Sequence, residues 1–303
     1  MRLSLCIAFQ PLTLNLVDPM LKQRIITALA LLAILLPALF AADPLAFLLL
    51  SMLLIAAGAW EWARMNGLAG VPSVLSGLLC GCMCVFAWWA GWTTHTETWL
   101  WWLAGSAWVG LTSWMLLRGV QGWAAWHAHL RWSLGLLLLW LAWLAMAQAR
   151  TASVQLLLSI LCVVWAADVF AYFFGRALGG KIIHQKLAPT VSPGKSWEGA
   201  IGGLFGVFVI AFGWMHLEQT YQWPGTSLFS AMMAHGYFLW VLSLIFLTSM
   251  SVVGDLVESL VKRSAGVKDS SNLLPGHGGV LDRLDALLPA LPIAMMLLNW
   301  PKL

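Results

Sequence analysis

The chain has 303 residues, of which 61% are hydrophobic and only 9% are charged, and its mean hydropathy is +0.85. This composition excludes an ordinary soluble globular domain, which carries far more charge. The apolar runs are long and do not alternate with polar residues, which excludes a membrane β-barrel. We therefore predict an all-α, polytopic integral membrane protein.

Residues 1–19 precede the first long apolar run and contain a single basic residue, Arg2. Their apolar core is short and no clear small-residue cleavage site follows it, so they make a poor signal peptide. A basic flank and the first apolar run begin at Met20. We interpret residues 1–19 as a non-essential N-terminal extension.

Nine apolar runs follow, and we predict that each forms a transmembrane helix. The predicted spans are 25–42, 45–63, 73–92, 99–117, 133–149, 153–174, 199–217, 232–254 and 284–300. Most acids lie between Asp168 and Asp285, so we divide the chain into N-terminal transmembrane helices, residues 20–150, and a C-terminal catalytic region, residues 151–303.

The distribution of basic residues predicts the orientation. With the N-terminus in the cytoplasm and nine spans, every Lys and Arg except Arg150 and Lys302 lies on the cytoplasmic side, as the positive-inside rule requires. The net charge of +4 is therefore one-sided. Such a surface suits anionic headgroups or anionic soluble substrates.

The span 153–174 contains Asp168, and an ionisable group inside a span is a functional candidate because its burial is costly. The alternative is a buried ion pair with Arg176 of the same segment. Arg176 also belongs to a basic, glycine-containing turn, residues 175–181. That turn is a weak phosphate-binding signal, since it lacks the Gly-Lys-Ser/Thr ending of a P-loop.

The stretch LAPTVSPGKSWEGAIGG, residues 187–203, contains two prolines that forbid a helix, so we predict a shaped loop. Ser196 is placed to cap the following helix, and Glu198 lies in its first turn. A helix start with Lys195 beside it is a ready anion site. A plain cap with a cytoplasmic lysine is the alternative.

The richest polar stretch is residues 251–289. Asp255, Glu258, Ser259 and Lys262 are spaced i, i+3, i+4 and i+7, which predicts one polar stripe on an otherwise apolar helix. A loop follows, and its polar residues and glycines, with the acids after it, are Lys268, Asp269, Gly276, His277, Gly278, Gly279, Asp282 and Asp285. Glycines permit the backbone to approach a ligand closely. A solvated helix end explains any one of these residues but not all of them.

The residue types in this stretch indicate a metal–phosphate site. Carboxylates without paired His or Cys favour a hard cation such as Mg²⁺. Lys262, Arg263, Lys268 and Arg283 favour phosphate groups. We therefore predict a cytoplasm-facing site for phosphoryl or nucleotidyl transfer.

The stretch SLVKRSAGVKDSSNLLPGHGGVLDRLD, residues 259–285, resembles the signature of the phosphatidate cytidylyltransferases, also called CDP-diacylglycerol synthases. The Ala-Asp-x-x-Ala-Tyr-x-x-Gly-Arg segment around Asp168 and SPGKSWEG, residues 192–199, are also similar to segments of that family. The resemblance covers the chain from about residue 165 onward.

The resemblance implies conversion of CTP and phosphatidic acid to CDP-diacylglycerol and pyrophosphate, with Mg²⁺ and an optional second, monovalent cation. It also implies a multi-pass protein of a bacterial-type inner membrane with a cytoplasmic active site, in contact with membrane lipids. A homodimer is compatible with the family, and no nucleic-acid partner is expected.

We assign roles to the residues on this basis. The predicted metal ligands are Asp255, Asp282 and Asp285. The predicted catalytic residues are Asp255, Lys268, Asp269, His277, Asp282, Arg283 and Asp285. The predicted substrate-binding residues are Asp168, Arg176, Lys195, Ser196, Glu198, Ser259, Lys262, Arg263, Gly278 and Gly279.

Three other functions are compatible with parts of this pattern. A CTP-dependent lipid kinase needs the same metal and nucleotide parts, but it releases CDP instead of pyrophosphate. A cation-coupled transporter built on Asp168 is disfavoured, because the other acids are not near the midplane and no internal repeat is present. A structural scaffold leaves residues 259–285 unexplained.

Overall fold

The structure is a computed structural model that describes residues 19–95 and 97–300, without the side chains of residues 19–22. The predicted extension, residues 1–19, lies outside the described residues except for Pro19, where the first helix begins. The described chain is almost entirely helical.

Eleven helices and one hairpin are present in the described part of the chain. They are α1 Pro19–Phe40, α2 Leu45–Met65, α3 Val71–Trp89, α4 Thr98–Ala124, α5 Ala128–Ala152, α6 Val154–Leu178, β1 Lys186–Ala188, β2 Ser192–Ser196, α7 Trp197–Tyr221, α8 Leu228–Met233, α9 Tyr237–Ser264, α10 Leu281–Leu284 and α11 Leu287–Leu298. Eight of the described helices, α1 to α7 and α9, are long and apolar enough to cross a membrane. The predicted fold class, an all-α polytopic membrane protein, is confirmed.

The predicted ninth span, residues 284–300, differs from the structure. This region contains the end of α10 and the whole of α11, separated by Asp285 and Ala286, whose backbone angles are themselves helical. Pro289 accounts for the break, because it lacks the N–H that would bond the carbonyl of Asp285, four residues earlier, and its ring crowds that carbonyl.

Helix α11 lies in the middle of the bundle. Its twelve residues reach only about 18 Å, which is less than the hydrocarbon core of a bilayer. It packs against α4, α5 and α9, and Ile293 and Ala294 are completely buried. A short, fully apolar helix is therefore surrounded by protein instead of lipid.

Helices α6 and α7 pack very closely. A Cβ atom added to Gly203 of α7 would lie 2.7 Å from the carbonyl oxygen of Ala167 on α6, so only glycine fits there. This close approach brings the half of α6 that contains Asp168 next to the beginning of α7.

The predicted loop before α7 contains a short antiparallel hairpin of β1 and β2, in which Lys186 pairs with Ser196 and Ala188 with Ser192. Pro189 lies in the connection between the strands, where no ladder hydrogen bond is required of it. The predicted cap is confirmed, since the backbone N–H of Gly199 donates to Ser196 Oγ at 3.2 Å. The hairpin and the cap fix where Lys195 lies relative to α7.

Candidate active site

A cavity of about 320 Å³ brings together the polar stretches that the sequence singled out. Helix α6, the hairpin, the start of α7 and the middle of α9 all contribute to its wall. The lining includes Asp168, Tyr172, Gly175, Gly194, Lys195, Ser196, Gly199, Val252 and Asp255. The cavity therefore joins residues that are almost ninety positions apart in the chain.

An ion pair crosses this cavity between the hairpin and α9. Lys195 Nζ lies 2.7 Å from Asp255 Oδ2 and also donates to the carbonyl oxygen of Val252 at 3.2 Å. Both side chains stay partly exposed, at 23% for Lys195 and 35% for Asp255. Asp255 is thus paired with a cation and still open to a ligand.

Asp168 lines the same cavity from α6 and is exposed. The alternative interpretation of Asp168, an ion pair with Arg176, is wrong for the described residues, whose ion pairs do not include it. Arg176 Nη1 instead donates to the hydroxyl of Tyr172 at 2.8 Å. The Asp168 carboxyl is therefore free to face a ligand in the cavity.

A second cluster surrounds Lys262, about two turns further along α9. Its ammonium group lies 2.6 Å from Asp282 Oδ1 and also pairs with Glu258. On the same helix, the hydroxyl of Ser259 donates to Asp255 Oδ1 at 3.4 Å. The predicted polar stripe of α9 is confirmed, and Asp282 from the following loop joins it.

Both carboxyl oxygens of Asp282 already have donors from the protein as partners. Besides Lys262, its Oδ2 accepts from the backbone N–H of Ser270 at 2.9 Å, the hydroxyl of Ser270 at 2.9 Å and the N–H of Gly279 at 2.8 Å. Burial alone would raise the pKa of Asp282, but these hydrogen bonds and the charge of Lys262 outweigh it and lower the pKa to about 2. A metal ion at Asp282 would have to share an oxygen with Lys262 or displace it.

The signature glycines pack against these side chains. Gly278 has a φ of +82°, and a Cβ atom there would lie 2.8 Å from Asp282 Oδ2. A Cβ atom on Gly279 would collide with Ser270 Oγ and would lie 2.6 Å from a carboxyl oxygen of Glu61. In the structure, both glycines permit the loop to close around carboxyl groups of the protein itself.

Glu61 of α2 is the residue that our sequence analysis missed. Its side chain is completely buried. Its two oxygens accept hydrogen bonds from the hydroxyl of Ser271 and from the N–H groups of Val280 and Leu281. Oε2 also lies 3.1 Å from the hydroxyl of Ser270, whose one hydrogen it shares with Asp282. The signal was present in the sequence, because an acid inside the second predicted span, residues 45–63, is as costly as Asp168 in the sixth.

Glu198 is turned away from the cavity. Its Oε1 accepts three backbone hydrogen bonds, from Gly180 at 3.1 Å, Ile182 at 3.1 Å and Ile183 at 2.8 Å. The side chain is only 5% exposed and does not line the cavity. It therefore holds the turn that follows α6 in place, next to the basic residues of that turn.

The other predicted site residues lie on the loop between α9 and α10 or at its ends. Arg283 donates through Nε and Nη2 to the carbonyl oxygen of His277. Lys268, Asp269 and Arg263 are exposed and do not line the cavity. Asp285 Oδ1 accepts from the N–H of Ala286 at 2.7 Å, at the break between the last two helices.

The carboxyl groups of the described residues do not form a preformed metal cage. No group of three or more His, Cys, Asp or Glu residues in the described chain is arranged to hold one ion. Mg²⁺ does not need such a cage, since it commonly uses one or two carboxylates together with water and substrate phosphates. Asp168 and Asp255 offer hard oxygen donors on two sides of the cavity, so the donor chemistry fits Mg²⁺.

Comparison with known proteins gives consistent results. The profile of the cytidylyltransferase family matches residues 22–300. The chain is 38% identical over 302 residues to the phosphatidate cytidylyltransferase of Pseudomonas aeruginosa, covering 92% of this chain and 97% of the relative. It is 34% identical over 297 residues to the enzyme of that name from Haemophilus influenzae, covering 90% of this chain and 96% of the relative.

Sequence identity to a third relative is higher, over a shorter segment. The phosphatidate cytidylyltransferase of Brucella abortus is 47% identical over 131 residues, which is 43% of this chain and 42% of the relative.

Proposed function

This chain belongs to the cytidylyltransferase family, and we propose that it transfers the cytidylyl group of CTP to phosphatidic acid, giving CDP-diacylglycerol and pyrophosphate. The observation that carries the proposal is the cavity in which Asp168, Lys195 and Asp255 meet. Two relatives that match nearly the whole chain carry the name of this activity.

The proposed chemistry needs charge neutralisation more than proton transfer. The attacking group is an anionic oxygen of the lipid phosphate, so no strong general base is required. It forms a bond to the α-phosphorus of CTP, and the bond from that phosphorus to the bridging oxygen breaks. Its electron pair leaves with pyrophosphate. The protein has to hold two polyanions in line, and lysines do so by offsetting their charge.

Lys195 lines the cavity and is the cation best placed to offset this charge, whereas Lys262 lies outside the lining, about two turns beyond Asp255 along α9. Each is already held by carboxyl groups, which fixes its position before a substrate binds. A bound Mg²⁺ would supply further neutralisation of phosphate charge, and we propose that Asp255 and Asp168 hold it. Asp282 and Asp285 stay predicted ligands, and a second, monovalent cation stays a prediction.

The membrane environment fits the proposed substrates. The chain has eight long apolar helices within its described residues, and phosphatidic acid is a membrane lipid. We propose an inner-membrane location with the cavity facing the cytoplasm, where CTP is found, and the one-sided distribution of Lys and Arg supports this orientation. The homodimer and the division of the chain at residues 19 and 150 stay predictions.

The proposal can be tested by a membrane assay with phosphatidic acid and CTP labelled on the α-phosphate. Label entering the lipid phase, dependent on Mg²⁺ and lost in Asp255→Asn, is the expected result. Label that stays in water while CTP is consumed would indicate a lipid kinase and would overturn the proposal. Failure to consume CTP would overturn it as well.

A further inference from the structure

Glu61 makes an unusual set of contacts for an acid in a membrane-spanning helix. Ser271 Oγ donates to its Oε1 at 2.5 Å, and the N–H of Val280 donates to the same oxygen at 2.9 Å. Ser270 Oγ lies 3.1 Å from its Oε2, and the N–H of Leu281 donates to that oxygen at 2.7 Å. No ion pair of Glu61 occurs among the described residues.

These donors come from the two ends of the segment 270–281, which comprises the later part of the loop between α9 and α10 and the first residue of α10 and is called the signature loop below. Ser270 and Ser271 begin it, and Val280 and Leu281 end it immediately before Asp282. The residues between them include the His and glycines of the signature, PGHGG. A single carboxyl group from α2 therefore fixes both ends of the signature loop, although it lies more than two hundred positions earlier in the chain.

The contacts continue into the cluster around Lys262. The hydroxyl of Ser270 lies within hydrogen-bond distance of both Glu61 and Asp282. Asp282 in turn pairs with Lys262, which also pairs with Glu258. The result is an unbroken row of polar contacts from α2 to α9, inside an otherwise apolar bundle.

We propose that Glu61 is a positioning residue for nucleotidyl transfer, which holds the loop 270–281 so that Asp282 and Lys262 meet in their active arrangement. This inference rests on the proposed function. Glu61 itself does not line the cavity, so it acts through the loop and not on the substrate. The chemistry therefore depends on a helix from the N-terminal half of the chain.

A carboxyl group is specifically suited to this role. Both of its oxygens accept, whereas a Gln side chain has one accepting oxygen and one donating nitrogen. In Glu61→Gln, the serine hydroxyls can rotate, but the N–H of either Val280 or Leu281 must face another donor. A buried N–H without an acceptor costs free energy, so we expect that end of the loop to become less ordered.

Glu218 provides a matched control. It accepts from the N–H and the hydroxyl of Ser227 and from the hydroxyl of Ser230, so it also ties a loop through serines. This loop joins α7 to α8 and does not line the cavity. Glu218→Gln therefore makes a comparable change of chemistry at a place that does not touch the site.

The experiment combines kinetics with hydrogen exchange on the full-length protein in detergent. In Glu61→Gln, we expect kcat to fall about tenfold or more, with a smaller change in KM for CTP, since the aligned groups are disturbed while the cavity is not. Amide exchange of residues 270–281 should rise in the same variant. In Glu218→Gln, kcat and the exchange of residues 270–281 should match the wild type.

Ser271→Ala is the milder second variant, since it removes one bond to Glu61, together with the bond from the N–H of Leu273 to Ser271 Oγ, and leaves both backbone bonds to Glu61. It should raise exchange in the same segment and lower kcat by less than Glu61→Gln does. If Glu61→Gln is unfolded, the exchange of residues 270–281 and the kcat of Ser271→Ala test the inference in its place.

The other outcomes overturn the inference. Unchanged exchange at residues 270–281 would mean that Glu61 does not order the loop. Raised exchange with wild-type kcat would mean that the ordering does not serve the reaction. If the wild-type protein itself made no CDP-diacylglycerol, the proposed function would fail, and the exchange data would still show whether Glu61 orders the loop.

Discussion

Asp255 and Asp282 each pair with one lysine at nearly the same distance. Asp255 Oδ2 lies 2.7 Å from Lys195 Nζ, and Asp282 Oδ1 lies 2.6 Å from Lys262 Nζ. Asp255 lines an open cavity and its side chain is 35% exposed. Asp282 is 8% exposed, and three further protein donors occupy its second oxygen. The two acids therefore differ in environment, since Asp255 is open to a ligand whereas Asp282 is enclosed by protein donors.

The largest effect should follow from removing Asp282. In Asp282→Ala, Lys262 loses one of its two partners and the loop loses its anchor, so turnover should be abolished while the protein stays in the membrane. Breaking a buried ion pair should also lower the free energy of unfolding by about 3 kcal/mol. Transfer assays and thermal unfolding in detergent test both expectations. An active variant, or one with the wild-type melting temperature, would remove the distinction between the two acids.

The next largest effect should follow from Asp255→Asn, which removes the charge and keeps the shape. Transfer should fall about a hundredfold, because Lys195 loses its ionic partner and the proposed Mg²⁺ site loses a charged ligand. The melting temperature should stay close to that of the wild type, since the Lys195 partner remains partly exposed to water. Glu97→Gln, an exposed acid in the loop before α4, is the control and should change neither quantity. A large loss of stability in Asp255→Asn would show that this acid is structural as well.

A smaller effect should follow from Glu198→Ala. The variant leaves the N–H groups of Gly180, Ile182 and Ile183 without their acceptor, so the basic turn after α6 should become less ordered. We expect KM for CTP or for the lipid to rise about tenfold, with kcat less affected. Steady-state kinetics against both substrates measures this. A fall in kcat with unchanged KM would place Glu198 in the reaction itself.

The smallest effect should be a pH dependence of stability. The pKa of Asp282 is lowered to about 2 in the folded protein, so its carboxylate contributes stability that is fully present above the unfolded pKa of about 4. That contribution is lost as the pH falls toward 2. The difference in melting temperature between the wild type and Asp282→Asn should therefore shrink from about pH 5 to about pH 2. A constant difference would contradict the role of Asp282 as an ionised anchor.

Sequence reasoning succeeded where local patterns decide the structure. The apolar runs predicted the long helices, the i, i+3, i+4, i+7 spacing predicted the stripe around Asp255 and Lys262, and Ser196 forms the predicted cap. Each of these features depends on residues that are close together in the chain.

Sequence reasoning failed where the structure depends on a residue far away in the chain or on one missing backbone hydrogen bond. Glu61 is visible as a costly acid in a span, but its partners at Ser271 and Leu281 lie 210 and 220 positions away and no local pattern indicates them. Hydropathy also did not indicate the interruption between α10 and α11, where Pro289 lacks the N–H that would bond the carbonyl of Asp285.

The short helix α11 has a consequence for how the protein is made. A twelve-residue segment cannot bridge the bilayer alone, so membrane insertion cannot place it independently of its neighbours. Its position therefore depends on its contacts with α4, α5 and α9. The signature residues immediately precede α11, so the placement of the site is linked to the packing of this helix.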